Sequence, residues 1–375
     1  MSVVDAPEEK TEPARGKGRG SKFMVLGKQN YAKLLSASTS NRLNFVITYL
    51  VLLAGTGADH QHTRWSTKAC EEKVGIGKPR AKLAIAELVQ AGLISLSADY
   101  TAMRPRYEMV PPSDELDEIF LPIQLVTGLA GEPSVLRRVR ETKNFLSLRI
   151  LIACYQDAQL DGTYGVSVSC LSSTHARDFE VARKVIERGA FTLWSLAPTE
   201  VLQVDPGWVT KCTGVSKPTP ELYELFWDAV KLLRTTGAIV VETWMYDSSD
   251  ATAEPIFPSD TEGLFSGQKD SVTDLTTLVY SASDAMLGSE YYLRDQHPDG
   301  FLVPLPSHCS EPCLRGVIKV RVEPDTPGCR LSFRRRISII DHFSVVLNDA
   351  IQHFIKGDFS RPYSLSPHTG RKADG

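Results

Sequence analysis

A chain of 375 residues has room for two or three domains of ordinary size, and its 42% apolar share allows a sizeable core. A formal net charge of -3 excludes whole-chain attraction as a reason to bind nucleic acid, so only local charge can supply one. Seven dispersed cysteines read as reduced thiols of a cytoplasmic protein. The longest apolar run, Phe45 to Ala54, is too short to span a bilayer, so no membrane partner is expected.

Residues 1–35 read as a tail. They carry no apolar stretch of the kind a signal peptide needs. They begin acidic and turn basic and glycine-rich, with Arg15, Lys17, Arg19, Lys22, Lys28 and Lys33. Such an arm is either solvated or free to touch phosphates. Residues 36–110 hold a run of ordered elements. Asn41 to Ala54 has apolar residues at helical spacing: Leu43, Val46, Ile47, Leu50, Val51 and Ala54. A loop to His62 follows, and Ser66 or Thr67 can cap a second helix ending at Val74. Gly75-Ile76-Gly77 makes a sharp turn, and Pro79 suits the first turn of a third helix. That helix runs to Ala91 with Ala81, Ala84, Ile85, Leu88 and Val89 on one face, and Gly92 closes it. Leu93 to Ser97 and Arg106 to Val110 alternate like a hairpin.

The stretches Ser66-Thr67-Lys68, Val74-Gly75-Ile76-Gly77 and Leu88-Val89-Gln90-Ala91-Gly92-Leu93-Ile94 resemble bacterial winged helix-turn-helix DNA-binding proteins, most closely transcription regulators and plasmid replication initiators. The resemblance covers residues 41–110. It implies that the third helix enters the major groove of double-stranded DNA with its first turns facing the bases. One residue departs from the pattern. Glu71 stands where the family carries a small side chain, so it must point outward or loosen the packing.

Residues 111–143 read as a linker with a short structured element, with proline and acidic character between Pro111 and Pro133. Residues 144–258 read as a second winged-helix-like module. Asn144 to Asp157 is its leading helix, Ala176 to Arg188 a second helix, Glu221 to Thr236 a long amphipathic helix, and Val240 to Tyr246 a strand. The ending Thr236-Gly237-Ala238-Ile239 echoes Ala91-Gly92-Leu93-Ile94, with an insertion from Gly189 to Pro218. Asp247 to Asp299 is acidic, with eleven Asp or Glu against Lys269 and Arg294. Within residues 259–357, a C-terminal mixed α/β region, a helix is expected at Leu275 to Leu287 and strands at Val317 to Val322 and Leu331 to Phe333, with a turn at Pro327-Gly328. A last helix is expected at Asp341 to Ile355, and residues 358–375 read as a tail. The fold class expected is α+β and helix-rich.

The expected DNA-binding residues are Lys78, Arg80 and Lys82 on the third helix, Arg104 and Arg106 on the hairpin, and Thr67 and Lys68 at a helix N-terminus that can hold a phosphate. The rival reading is a basic face on a module that docks protein. The second module exposes Glu221, Glu224 and Asp228, balanced only by Lys231 and Arg234, and carboxylates repel phosphates, so contact with a protein partner, including a homodimer, suits it better. Arg137, Arg138, Arg140 and Lys143 precede it, as a solvated helix face or as a reach toward backbone. Near the C-terminus Arg315, Lys319, Arg321, Arg330, Arg334, Arg335 and Arg336 either extend a nucleic-acid surface or neutralise the acidic stretch before them. His308-Cys309, Cys313 and Cys329 fit no standard zinc spacing, and His60 and His62 lack a third ligand nearby, so no metal is expected. No phosphate-binding Gly-Lys-Ser/Thr loop, G-x-G-x-x-G or G-x-S-x-G is present, so neither a cofactor nor an enzyme is expected. These readings leave a sequence-specific DNA-binding protein, regulator or initiator, as the leading expectation.

Overall fold

The computed structural model describes residues 23–101, 103–160, 165–166, 170–175, 182–196, 200–248, 253–258, 269–297, 301–309, 311–361, 363 and 365. The basic residues Arg15, Lys17, Arg19 and Lys22 of the expected tail lie outside them. The tail itself needs correction from residue 23 onward. Phe23–Gly27 is strand β1 and Lys28–Ser36 is helix α1, with Met24, Leu26 and Leu34 fully buried.

The first module follows. Helix α2 (Arg42–Ala54) is capped by Asn41, whose side chain accepts from the Asn44 amide at 3.0 Å. Strand β2 (His62–Thr63), helices α3 (Thr67–Val74) and α4 (Lys78–Gln90), and strands β3 (Ile94–Leu96) and β4 (Tyr107–Met109) complete it. The three strands form an antiparallel sheet in the order β2-β4-β3. Gly75 ends α3 at φ 70° and Gly92 follows α4 at φ 64°, the left-handed conformation that an L side chain resists.

Residues 111–143 hold more than the one short element expected of a linker. Strand β5 (Glu118–Pro122) pairs antiparallel with β1 over five residues. Short helix α5 (Gln124–Thr127) and helix α6 (Val135–Glu141) then pack against the first module. The segment before β5 is pinned to the start of α1. The Asp117 carboxylate accepts from the amides of Gln29 (2.9 Å) and Ser113 (3.2 Å), and the Asn30 side chain donates to the Val110 carbonyl.

The second module opens with helix α7 (Phe145–Gln156), capped by Asn144 as α2 is by Asn41. Strands β6 (Ala158–Gln159), β7 (Gly165–Val166), β8 (Leu171–His175), β9 (Ala182–Arg188), β10 (Phe191–Leu196) and β11 (Glu200–Val204) precede helices α8 (Pro206–Thr213) and α9 (Pro220–Thr235). The helix expected at Ala176 to Arg188 is thus corrected. Its residues 176–181 lie outside the described set, and the rest is β9, drawn into a sheet by the wholly buried β10. Strand β12 (Ile239–Tyr246) leaves α9. Strand β13 (Pro255–Pro258), helix α10 (Lys269–Leu287) and strand β14 (Phe301–Pro306) intervene before β15 (Cys313–Val320) returns antiparallel to β12 over eight residues. Because β15 belongs with β12, the second module does not end at residue 258.

Helix α11 (Pro327–Phe354) is one 28-residue helix capped by Thr326, which corrects both the turn at Pro327-Gly328 and the strand at Leu331 to Phe333. Residues 358–361, 363 and 365 are no free tail either. The Phe359 carbonyl accepts from Ala190, the Tyr363 hydroxyl donates to Asp349 at 2.7 Å, and Leu365 is buried.

The five-stranded sheet runs β11-β8-β15-β12-β13 and a three-stranded one β14-β10-β9. All the ladders described are antiparallel, which makes the class α+β. One core joins both modules, from Met24 through Phe45, Leu88 and Leu151 to Phe226 and Val320. A second core fills the C-terminal region, where Phe257 stacks on Phe343 at 4.6 Å. Among the described residues no helix is long and apolar enough to cross a membrane.

Candidate nucleic-acid interface

Helix α4 packs through Ala81, Ala84, Ile85 and Leu88, all buried. Its line farthest from that packed face, at 3.6 residues per turn, is Pro79, Leu83, Ala86 and Gln90, all exposed. The expected site residues Lys78, Arg80 and Lys82 are exposed as well, but they do not share one side. Residues two apart stand roughly 160° apart around a helix, so Arg80 lies on one flank and Lys82, with Lys78, on the other.

The charges divide again by partner. Lys78 is 3.6 Å from Glu71, Lys68 is 3.7 Å from Glu72, and Arg106 is 2.7 Å from Asp99. Glu71 does point outward, held by this pairing with Lys78. Arg80, Lys82 and Arg104 have no carboxylate within 4 Å among the described residues. Glu87 shares the Arg80 flank but is committed elsewhere. Thr39 donates to it at 2.5 Å and Ser40 at 3.1 Å. Burial raises that carboxyl, and these hydrogen bonds outweigh burial and hold it below its ordinary value. Arg104 sits at the hairpin tip, where its amide donates to the Thr101 hydroxyl and carbonyl, beside the 96% exposed Met103.

At the start of α3 the expected cap is positional only. Ser66 stands at the cap but makes no side-chain hydrogen bond there, Thr67 is half-buried and Lys68 is exposed. Two residues escaped the sequence reading. Arg64, exposed and without an ion pair among the described residues, lies just before α3 in a segment with no periodicity. Leu83, 51% exposed, is a large apolar residue on the outer line of α4, and an amphipathic pattern gives no reason to expect one there.

The second module repeats the helix ending in register. The Leu93 and Gly92 amides donate to the carbonyls of Leu88 and Val89; the Ala238 and Gly237 amides donate likewise to Leu233 and Arg234, with Gly237 also at φ 64°. With Gly92 set against Gly237, the buried Ala81, Ala84, Ile85 and Leu88 fall on the buried Phe226, Ala229, Val230 and Leu233. The three cationic positions Lys78, Arg80 and Lys82 fall on Tyr223, Leu225 and Trp227, and the first two turns of the outer line carry Glu224 and Asp228. The Glu221 carboxyl is held below its ordinary value by the Thr219 hydroxyl, and Asp228 pairs with Lys231 at 3.3 Å on the same helix.

Most of the side chains in the two remaining basic clusters are engaged within the chain, Lys143 and Arg334 being exposed. Arg140 donates to the Val74 carbonyl at 2.7 Å, Ser134 to Lys73, and Arg137 and Arg138 pair with Glu141 and Glu132, so α6 clamps the end of α3. Near the C-terminus Arg336 is buried and grips both oxygens of Glu323 (2.8 and 2.9 Å), Lys319 pairs with buried Glu242, Arg321 with Glu132 and Arg330 with Asp325. None of these four carboxylates belongs to the acidic stretch 247–299, parts of which lie outside the described residues.

Searches against protein-family models, curated proteins and solved structures find no match to this chain. Among the described residues no three His, Cys, Asp or Glu are grouped to hold a metal ion. His60 stacks on Phe23 and His62 pairs with Asp59. Burial pushes the thiols of Cys70 and Cys309 up to about 12, which disfavours the nucleophilic thiolate.

Proposed function

We propose that this chain is a sequence-specific double-stranded DNA-binding protein, a transcription regulator or a plasmid-type replication initiator, whose first module acts as a winged helix-turn-helix. The observation that carries this reading is the set of exposed cations without ion pairs among the described residues, Arg80 and Lys82 on the two flanks of α4 and Arg104 at the hairpin tip, around a helix whose other face is packed. A helix lying in the major groove turns its flanks toward the two phosphate walls, and a cation without a carboxylate partner displaces counterions there at no cost of a broken ion pair. The second module, with carboxylates and the exposed Leu225 on α9, serves contact between proteins, a homodimer being the simplest case. The reading is one of binding, with no catalytic step and no cofactor.

The test is selection of duplexes from a random pool by the purified protein at low salt, followed by affinities for the selected and a scrambled duplex. A selected consensus, with tighter binding than the scrambled duplex, is expected. Arg80→Ala costs about 1–3 kcal/mol on the selected duplex if its guanidinium also reaches a base edge, whereas Arg104→Ala weakens both duplexes alike. Failure to enrich any duplex refutes the reading and favours protein docking.

A further inference from the structure

The outer line of α4 offers no hydrogen-bond donor before Gln90. Pro79 has no amide hydrogen, and the next residues on that line are Leu83 and Ala86. Half of the Leu83 side chain meets solvent. The fold does not ask for a large apolar residue there, because Ala81, Ala84, Ile85 and Leu88 already fill the packed face. The second module makes the same point: at the matching position of α9 it carries the exposed Asp228. Lys82 and Arg80 flank Leu83 on opposite sides, so a helix anchored by both to the phosphate walls points Leu83 at the base edges between them.

We infer that Leu83 reads a thymine methyl at the centre of the bound site. This rests on the DNA-binding reading above and names the base recognised. Leucine offers no hydrogen bond, and the thymine C5 methyl is the apolar group that the base edges present in the major groove. Contact of the two removes apolar surface from water, and a single methyl is worth roughly fourfold in affinity at about 0.8 kcal/mol. The contact involves no charge, so its effect does not fade as salt rises.

The experiment takes the duplex selected by the full-length protein and replaces each thymine in turn by deoxyuridine, which lacks only the methyl. At one or two central thymines the wild-type protein is expected to lose roughly fourfold, equally at low and moderate salt. Leu83→Ala is expected to bind the thymine and deoxyuridine duplexes equally, and Leu83→Met to keep the preference. The deoxyuridine comparison uses wild-type protein alone, so it stands whatever the stability of the variants. A consensus without thymine overturns the inference, as does equal wild-type binding to every deoxyuridine duplex. So does a thymine preference that Leu83→Ala retains in full. Each of these leaves DNA binding itself intact, whereas failure to select any duplex removes both readings.

Discussion

Replacing Arg80, Lys82 and Arg104 together by alanine should flatten the salt dependence of DNA binding, by an amount that the ion pairs of the free protein set. Each phosphate neutralised by a cation adds about 0.9 to the slope of log affinity against log salt, so three such cations account for roughly 2.7. Over a fourfold rise in salt, that slope is worth roughly 40-fold in affinity, and the triple variant should lose this sensitivity. Lys78 and Arg106 should matter less, because Glu71 and Asp99 already share their charge at 3.6 and 2.7 Å. Glu71→Gln releases Lys78 and should steepen the slope. The assay is fluorescence anisotropy of a labelled duplex at five salt concentrations, with circular dichroism to show that the helices persist. A folded triple variant with the wild-type slope would refute the assignment of these residues to the interface.

A protein beginning at Ala37 should unfold at lower urea than one beginning at Phe23. It loses buried Met24, Leu26 and Leu34, each worth about 1.5–3 kcal/mol, and it leaves β5 without its partner strand. Gly92→Ala should cost about 1–2 kcal/mol by chemical denaturation, because the φ of 64° strains an alanine although its Cβ would meet nothing within 4 Å. Gly75→Ala should cost more, since its Cβ would come within 2.9 Å of the Arg140 guanidinium, which is tethered by its hydrogen bond to the Val74 carbonyl and would have to shift. The Asp358 carboxyl is lowered to about 2, first by the Ser360 hydroxyl and then by the Ser360 amide and His353. Its folded pKa lies below the unfolded value of 3.8, so its stabilisation is present above that pH and is lost as pH falls through about 2. A carboxyl NMR titration with a midpoint near 3.8 would contradict this.

Helices α2, α4 and α9 could be read from the sequence because their buried residues recur at helical spacing and glycine ends α4 and α9 at a left-handed turn. Strand β1 could not, since its buried run Met24 to Gly27 does not alternate and follows directly on a basic stretch. The first half of α11 was hidden by its own core. Its buried positions include Ser332 and Arg336, polar residues that erase the apolar period although the spacing is helical. Strand β9 is made of residues that suit a helix, and pairing with β10 overrides them. In the site, the exposure of Lys78, Arg80 and Lys82 followed from buried Ala81. Their separation onto two flanks, and the capture of Lys78 by Glu71 across the Gly75 turn, needed the geometry.

The two helix endings match in register while the faces they present differ completely, and this contrast can be tested through charge alone. Packing constrains the inner positions, where Ala81, Ala84, Ile85 and Leu88 correspond to Phe226, Ala229, Val230 and Leu233. The outer positions escape most of that constraint and carry cations and Leu83 in one module; in the other they carry carboxylates and exposed Leu225, while Tyr223 and Trp227 still pack in part against the core. A carboxylate within 4 Å of a phosphate costs about 1 kcal/mol even in water, and beyond roughly 8–10 Å salt screens it almost entirely. If α9 faces away from the duplex, changing Glu221, Glu224 and Asp228 together to alanine should leave DNA affinity within about twofold at physiological salt. Leu225→Asp, which puts a charge on a 58% exposed leucine of the same helix, should weaken self-association in sedimentation velocity without changing DNA affinity. An increase in DNA affinity of roughly tenfold or more on removing the three carboxylates would put α9 against the phosphates, and the division of labour between the two modules would be wrong.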